Sequence, residues 1–156
     1  MKKTLPLLRI AFTLLLALCF FLNVVPGKAW ATGEFSASCT NVTISHNDDS
    51  NPDTIGTPIL SASCQNLDGS YVETTLDLNP YIGNGDGILS WAGDKNNFGL
   101  SCYDLEISNT GMLTGMCFKD IKRVDGKLVI PNPKEIEASI NLNAHIANLD
   151  GTLKYE

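Results

Sequence analysis

The stretch DLNPYIGNGDGILSW, from Asp77 to Trp91, returns in altered form as NLNAHIANLDGTLKY, from Asn141 to Tyr155. Both versions contain Leu-Asn near the start, then an Ile, and then the motif Asn-x-Asp-Gly followed by a Leu, all at the same spacing. Self-similarity at a fixed offset is the signature of a repeated structural unit. The stretch therefore predicts a chain built from two related halves.

The correspondence continues upstream of these stretches. Three further pairs of residues match between the halves: Phe35 with Phe98, Cys39 with Cys102, and Cys64 with Cys117. We place repeat 1 at about residues 34–92 and repeat 2 at about residues 97–156, within one domain of residues 32–156. Residues 46–58 lengthen the first copy and residues 123–133 the second. Both insertions are rich in turn-forming residues, so we expect surface hairpins or loops.

Residues 1–31 have the layout of a secretory signal peptide. Its parts are a basic start (Lys2, Lys3 and Arg9), an apolar run (Ile10–Leu22) and a small-residue site (Ala29-Trp30-Ala31). The alternative is an uncleaved membrane anchor, but the run is shorter than the ~20 apolar residues of a spanning helix. We expect cleavage after Ala31 and a secreted or periplasmic protein.

Removal of residues 1–31 leaves 125 residues, enough for one domain with its own core. Of the eleven Lys and Arg, seven remain against seventeen Asp and Glu, which gives a net charge near -10. Nucleic acid and anionic membrane surfaces attract positive charge, so the balance excludes nucleic acid as a partner and predicts no membrane insertion after cleavage. Solubility alone also accounts for an acidic chain.

Four cysteines remain after the signal is removed, and an even number in an exported chain indicates two disulfides. Counting alone leaves three pairings open. A metal site is the rival interpretation, but the chain has no Cys-x-x-Cys pair and only His46 and His145 could assist. Because each half contains two cysteines, the repeat selects the pairs Cys39–Cys64 and Cys102–Cys117.

Local patterns predict a mostly β fold. SYVETTLDL (residues 70–78) and EASINLN (residues 137–143) alternate in polarity with period two, as strands with one buried face do. The Asp-Gly pairs before Lys127 and Thr152 predict strands entered from tight turns. No stretch shows a long helical period, although LNPYI and LNAHI suit short helical turns.

Each half is too small to bury much of a core alone, so we expect the halves to share one. The predicted shared core consists of matching apolar residues: Leu78, Ile82, Leu89 and Trp91, with Leu142, Ile146, Leu153 and Tyr155.

The ending INLNAHIANLDGTLKYE and the doubled pattern of cysteines and aromatic residues resemble the cyanovirin-N homology family from Phe35 to Glu156. The resemblance implies two pseudo-symmetric tandem repeats, each a triple-stranded sheet plus a β-hairpin, with strand exchange between repeats. It also implies a lectin that binds mannose-rich glycans or glycoproteins, with no catalysis, no cofactor and no metal. We take a monomer as the default state.

Two sugar sites follow from the resemblance. The chain-end site would use Ser38, Gln65, Asn148 and Asp150. A weaker inter-repeat site would use Asn84, Asp86, Asn97 and Ser101. The inter-repeat site departs further from the family, because Gly83 and Leu100 stand where the family has carboxylates and Asp120 where it has an arginine.

The Asn-x-Asp-Gly motif also suits a sugar on chemical grounds. An Asp accepts hydrogen bonds and an Asn both donates and accepts, so together they satisfy neighbouring hydroxyls. The alternative is an ordinary hairpin turn with no ligand. A calcium loop of the EF-hand type fails, because its acidic positions fall on Ile82 and Gly93 in the first copy and on Ile146 in the second.

Three functions remain to be weighed. The favoured one is a secreted, non-enzymatic lectin, and the alternative is a secreted protein-interaction or scaffold module on the same fold. A glycosidase is third, because it would need two carboxyl groups in one cleft, whereas Asp86 and Asp150 match by repeat symmetry and should lie apart. His145 matches Tyr81, which indicates packing rather than catalysis.

Overall fold

The computed structural model describes residues 33–47, 56–91, 97–125, 127–129, 131 and 133–156. The predicted signal peptide, residues 1–31, lies outside the described residues. Within them the chain forms twelve strands: β1 (Cys39–Asn47), β2 (Thr57–Gln65), β3 (Tyr71–Asp77), β4 (Ile82–Asn84), β5 (Leu89–Trp91), β6 (Cys102–Ile107), β7 (Met112–Lys119), β8 (Lys122–Val124), β9 (Lys127–Val129), β10 (Lys134–Asn141), β11 (Ile146–Leu149) and β12 (Thr152–Tyr155). None of the described helices is long and apolar enough to cross a membrane.

Ten of these twelve strands divide into two equivalent sets of five. In the first half β1, β2 and β3 form an antiparallel sheet and β4 pairs with β5 in a hairpin. In the second half β6, β7 and β10 form the matching sheet and β11 pairs with β12. Short 3₁₀ turns stand at Phe35–Ala37, Phe98–Leu100 and Leu142–Ala144. The predicted mostly β fold of two repeats is confirmed.

Both disulfides join directly opposed residues of neighbouring strands. Cys39 is opposite Cys64 in the first sheet and Cys102 is opposite Cys117 in the second. The Cα–Cα distances are 4.0 and 4.1 Å, and the pairing predicted from the repeat is confirmed. A β-bulge follows each disulfide, with Asn41 and Asp104 in left-handed conformation at equivalent positions. Asn and Asp tolerate this conformation better than most residues.

One apolar core runs through both halves. Six of the eight predicted core residues are buried: Leu78, Ile82, Leu89, Leu142, Ile146 and Leu153. Trp91 is half-buried and packs against this core, whereas the prediction is wrong for Tyr155, which is 39% exposed. Their rings form an aromatic cluster with those of Tyr81 and His145 at the surface. His145 therefore packs against rings, as the match with Tyr81 predicted.

The hairpins are exchanged between the halves. The β11–β12 hairpin belongs to repeat 2 but packs on the first sheet, where the Leu153 N–H donates to Thr74 Oγ1 at 3.1 Å. The β4–β5 hairpin of repeat 1 correspondingly packs on the second sheet, through Asn84 and Phe118. An isolated two-stranded hairpin is marginal in water, so each one depends on the other half. The predicted strand exchange is confirmed.

The two insertions take different forms. The first lengthens the β1–β2 hairpin, where His46 is opposite Pro58, and its residues 48–55 lie outside the described part of the chain. The second contains an additional hairpin, β8–β9, as predicted. His46 Nε2 lies 2.9 Å from the carbonyl oxygen of Gly99, which ties the first insertion to the second repeat.

Replacing either cysteine pair with serine is expected to lower the free energy of unfolding by about 3 kcal/mol, because each disulfide restricts the unfolded chain. The loops are similar in length, with sequence separations of 25 and 15, so the two losses should be similar. Guanidinium unfolding of the two double variants checks this. A loss confined to one pair would contradict the equivalence of the halves.

Candidate functional site

Two tight turns carry the polar residues that the sequence predicted as sites. We call residues 148–151 with Ser38 and Gln65 the chain-end corner, and residues 84–87 with Ser101 the inter-repeat corner. In each turn the Asp and the following Gly have positive φ: 59° and 85° at Asp86 and Gly87, and 52° and 78° at Asp150 and Gly151. Two successive left-handed residues join twisted strands in a short hairpin, which explains why Asp-Gly occupies both turns.

Asn148 holds the chain-end corner together from inside the protein. Its side-chain nitrogen donates to Ser38 Oγ at 3.0 Å and to the Gln65 carbonyl oxygen at 2.8 Å. Its side-chain oxygen accepts from the Gly151 N–H at 2.8 Å. The residue is 1% exposed, and both amide hydrogens are used. The Asn148 side chain therefore connects the hairpin of repeat 2 to the sheet of repeat 1 and is not presented to solvent.

Asp150 is the exposed polar residue of the chain-end corner. Its Oδ1 accepts a hydrogen bond of 2.8 Å from the Leu67 N–H, which fixes the carboxylate across the boundary between the halves. A carboxylate can accept several hydrogen bonds, so Asp150 retains acceptor capacity toward solvent. Ser38 and Gln65 are half-buried beside it, and Gln65 Nε2 donates to the Gly69 carbonyl oxygen at 3.3 Å. The structure thus brings together all four predicted residues of this corner.

The inter-repeat corner repeats this arrangement. Asn84 Nδ2 donates to Ser101 Oγ and to the Phe118 carbonyl oxygen, both at 3.0 Å, and Asn84 Oδ1 accepts from the Gly87 N–H at 2.7 Å. Asp86 Oδ1 accepts from the Asp120 N–H at 2.7 Å. Asn84, Asp86 and Ser101 therefore lie together, although Asn84 is only half-buried.

The fourth residue predicted at the inter-repeat corner occupies a separate position. Asn97 is exposed and precedes the turn Phe98–Leu100, and its backbone N–H donates to the Asn79 carbonyl oxygen at 3.0 Å. The structure gives it no hydrogen bond to Asp86 or Asn84 among the described residues. Asn97 is therefore connected to the corner through the chain, because it precedes the turn Phe98–Leu100 and Ser101 follows that turn.

A second pair of amides, Asn79 and Asn143, also connects the two halves, although the sequence did not mark them as functional residues. Asn79 Nδ2 donates to the Gly56 carbonyl oxygen at 2.7 Å, and Asn79 Oδ1 accepts from the Gly99 N–H at 3.1 Å. Asn143 Nδ2 donates to the Thr110 carbonyl oxygen at 3.0 Å, and Asn143 Oδ1 accepts from the Ser36 N–H at 3.2 Å. The signal was present in the sequence, because both residues belong to the repeated Leu-Asn pair.

The surroundings of the two corners differ in polarity. Beside the chain-end corner lie exposed Leu67, Tyr71 and Val72, with Leu67 73% exposed. Asp68 is in the same turn, and hydrogen bonds from the backbone N–H and the hydroxyl of Ser70 lower the pKa of its carboxyl group.

Beside the inter-repeat corner, Asp120 and Glu135 occupy the positions of Leu67 and Tyr71, whereas Ile136 occupies that of Val72 and is also apolar. Lys134 Nζ lies 3.8 Å from Asp120 Oδ2, and both side chains are more than half exposed. A hydrogen bond to the Glu135 carboxylate raises the pKa of the Tyr103 hydroxyl, and the Tyr103 ring lies 5.6 Å from that of Phe118. Among the described residues, no group of three or more His, Cys, Asp or Glu side chains could hold a metal ion.

Comparison with known proteins gives consistent matches. The family model described as CVNH domain matches residues 35–154. A cyanovirin-N homolog of Tuber borchii is 40% identical over 58 residues, a match that covers 37% of this chain and 54% of the relative. The aligned part thus spans about half the length of that relative.

Solved structures extend the likeness to the whole described domain. The NMR structure of the CVNH protein of Gibberella zeae has a TM-score of 0.56 and 32% identity, covering 79% of this chain and 97% of the other. The structure of a complex of microvirin with mannobiose has a TM-score of 0.52 and 30% identity, covering 80% of this chain and 99% of microvirin.

Asn148→Ala is expected to lower the free energy of unfolding by about 3 kcal/mol, because it removes three hydrogen bonds made by a side chain that is only 1% exposed. Asn84→Ala should cost about half as much, because water reaches the half-buried corner and replaces part of the lost hydrogen bonding. Urea unfolding of the two variants measures the difference. Equal losses would contradict the distinction between the two corners.

Proposed function

Because the chain belongs to the CVNH domain family, we propose that it is a non-catalytic lectin that recognises mannose-rich oligosaccharides. The mannobiose complex of microvirin, which is 30% identical over 80% of this chain, supports a mannose-containing ligand. We assign the principal site to the chain-end corner and a weaker one to the inter-repeat corner.

The observation that carries this proposal is the fixed, exposed carboxylate of Asp150. The Leu67 N–H holds one carboxylate oxygen at 2.8 Å, so the side chain is ordered before a ligand arrives. A pyranose presents several hydroxyl groups at rigid spacing, and hydrogen bonds to an ionised carboxylate are stronger than neutral ones. Preordering the acceptor reduces the entropy lost on binding.

The chain-end corner also offers apolar surface for the carbon-bound faces of a sugar ring. Leu67 and Val72 are exposed beside Asp150: the Leu67 N–H donates to its carboxylate, and a Cβ atom added at Gly151 would come within 3.4 Å of Val72. Ser38 supplies a hydroxyl that can donate as well as accept.

Asn148 has a different role in this proposal from the one expected from its residue type. Its amide is buried and bonded to Ser38, Gln65 and Gly151, so it positions the ligand-binding groups rather than touching the sugar. The residues that contact the ligand are Asp150, Ser38, Gln65 and the neighbouring apolar side chains.

We further propose that the lectin acts outside the cytoplasm. The layout of residues 1–31 is that of a secretory signal, and two disulfides persist in oxidising compartments. Glycans and glycoproteins on exposed surfaces are then accessible partners.

Asp150→Asn and Asp150→Ala should each weaken binding of a mannose oligosaccharide at least tenfold, because both remove the charged acceptor. Asn tolerates the left-handed conformation of residue 150, so Asp150→Asn separates loss of charge from backbone strain. Calorimetric titration of residues 32–156 with intact disulfides measures the affinity. Glu137→Gln, which removes an exposed carboxylate from β10, is the charge-matched control and should bind normally.

Three results would contradict the proposal. Binding that survives both Asp150 variants but disappears in Asp86→Ala would transfer the principal site to the inter-repeat corner. The absence of binding to any glycan would favour a protein-interaction module on the same fold. Release of shortened sugars from the oligosaccharide would show catalysis.

A further inference from the structure

The inter-repeat corner lies beside the most basic segment of an otherwise acidic protein. Residues 32–156 contain seven Lys and Arg, and five of the seven fall between residues 119 and 134: Lys119, Lys122, Arg123, Lys127 and Lys134. The same segment contains two acidic residues, Asp120 and Asp125. Positive charge is therefore concentrated in the connection between β7 and β10, which includes the inserted β8–β9 hairpin, and in the strand residues at its two ends, Lys119 and Lys134.

This connection begins at the inter-repeat corner itself. The Asp120 N–H donates to Asp86 Oδ1 at 2.7 Å. The stem of Lys119 lies against the turn, because a Cβ atom added at Gly87 would come within 2.9 Å of Lys119 Cγ. Lys134 Nζ is 3.8 Å from Asp120 Oδ2, and its side chain is 65% exposed. A ligand held by Asp86 would therefore lie within reach of two ammonium groups.

The chain-end corner provides an internal comparison. The equivalent connection, between β2 and β3, consists of residues 66–70 and carries one charge, that of Asp68. Asn66 and Lys119 are equivalent positions, because each lies two residues after the second cysteine of its half, Cys64 or Cys117. Ser70 and Lys134 are also equivalent positions. Each lies two residues before the residue that pairs with the second cysteine of its half in the sheet.

The two corners thus have the same Asn, Asp, Gly and Ser but differ in the surrounding charge. At the chain-end corner Asn66 and Ser70 are neutral, whereas the inter-repeat corner has a lysine at both positions. Of the nearby carboxylates, Glu135 accepts from the Tyr103 hydroxyl, and Asp120 pairs with Lys134 at 3.8 Å. Both members of that pair are exposed and the pair is therefore weak, so an anionic ligand can compete with Asp120 for the Lys134 ammonium group. Lysine ammonium groups bind phosphate and other anions as point charges.

We propose that the inter-repeat corner binds an anionic sugar, one that carries a phosphate, sulfate or carboxylate group. Asp86 accepts a hydrogen bond from a sugar hydroxyl, while Lys119 and Lys134 contact the anionic group. This inference rests on the proposed function, because it takes the corner to be a sugar site. It extends that function by assigning different ligand classes to the two corners.

The test is a titration of ¹⁵N-labelled residues 32–156, with disulfides intact, followed by NMR. The ligands are mannobiose, mannobiose phosphate, mannobiose sulfate, a uronic acid disaccharide and inorganic phosphate. The amides of Gly87 and Asp120 report on the inter-repeat corner, and those of Gly151 and Leu67 on the chain-end corner, because each is hydrogen-bonded within its corner.

Anionic disaccharides are expected to shift the Gly87 and Asp120 signals. Their affinity for this corner should be roughly tenfold above that of mannobiose, because the anionic group forms close charge pairs with Lys119 and Lys134. Raising the salt concentration from about 20 mM to about 500 mM should remove most of this preference, because exposed charges are screened. The sugars that bind best identify which of the three anionic groups the corner prefers.

Two variants replace the lysines of the inter-repeat corner with the residues found at the equivalent positions of the chain-end corner, Asn66 and Ser70. Lys119→Asn and Lys134→Ser should each weaken binding of the anionic sugar about fivefold. Both should leave mannobiose binding at the chain-end corner unchanged. Lys154→Ser removes an exposed lysine from β12, on the other hairpin, and should not change anionic binding. Thermal melting verifies that all three variants are folded.

Inorganic phosphate that binds as tightly as the phosphorylated disaccharide would overturn the inference, because it would show an ion site without sugar recognition. Equal affinity for neutral and anionic sugars at the inter-repeat corner would also overturn it, while neutral binding at the chain-end corner would leave the proposed function intact. If no sugar binds at either corner, both proposals fail. Binding of anionic sugars alone would support this inference and reject the mannose assignment.

Discussion

The buried amide of Asn148 is the interaction on which the two-repeat architecture depends. It joins a hairpin made by repeat 2 to Ser38 and Gln65 of repeat 1, with both donors and the acceptor used. Asn84 forms the equivalent connection in the opposite direction, to Ser101 and Phe118. Neither hairpin would be stable alone, so each half is completed by the other. Separation of the halves would exchange these hydrogen bonds for bonds to water and would expose the apolar residues that the halves bury together.

The same connections determine where ligand-binding groups are exposed. Because Asn148 and Asn84 are directed into the protein, the Asp two residues later emerges from the left-handed turn at the boundary between halves. There it accepts a backbone hydrogen bond from the other repeat, from Leu67 in one case and Asp120 in the other. Each corner is therefore composed of both repeats, and neither repeat alone could present a complete site.

Much of the fold could be predicted from the sequence, because the features that determine it are local or repeated. Period-two alternation defines β3 and β10, Asp-Gly pairs define the hairpin turns, and the repeat selects the disulfide pairing. The roles of individual side chains in the corners were harder to predict from the sequence. The motif Asn-x-Asp-Gly gives residue types but not which of them is buried, since that depends on packing against a sheet distant in sequence. Tyr155 was wrongly predicted in the core for a related reason, because it ends a strand at the surface among other rings.

A comparison of the two halves separates what folding requires from what it leaves free. The Asn, Asp, Gly and Ser of the corners are identical in both copies. The Asn, Asp and Ser take part in hydrogen bonds that join the halves, and the Gly donates its N–H to the Asn side chain within the same turn. Residues 66, 67 and 70 differ from their counterparts 119, 120 and 134, and their side chains are not needed for those bonds. Folding therefore constrains the frame of each corner but not its surroundings, where charge can change without loss of structure. Two corners with unlike surroundings would gain avidity only on a target that displays both kinds of sugar at a spacing the protein can span.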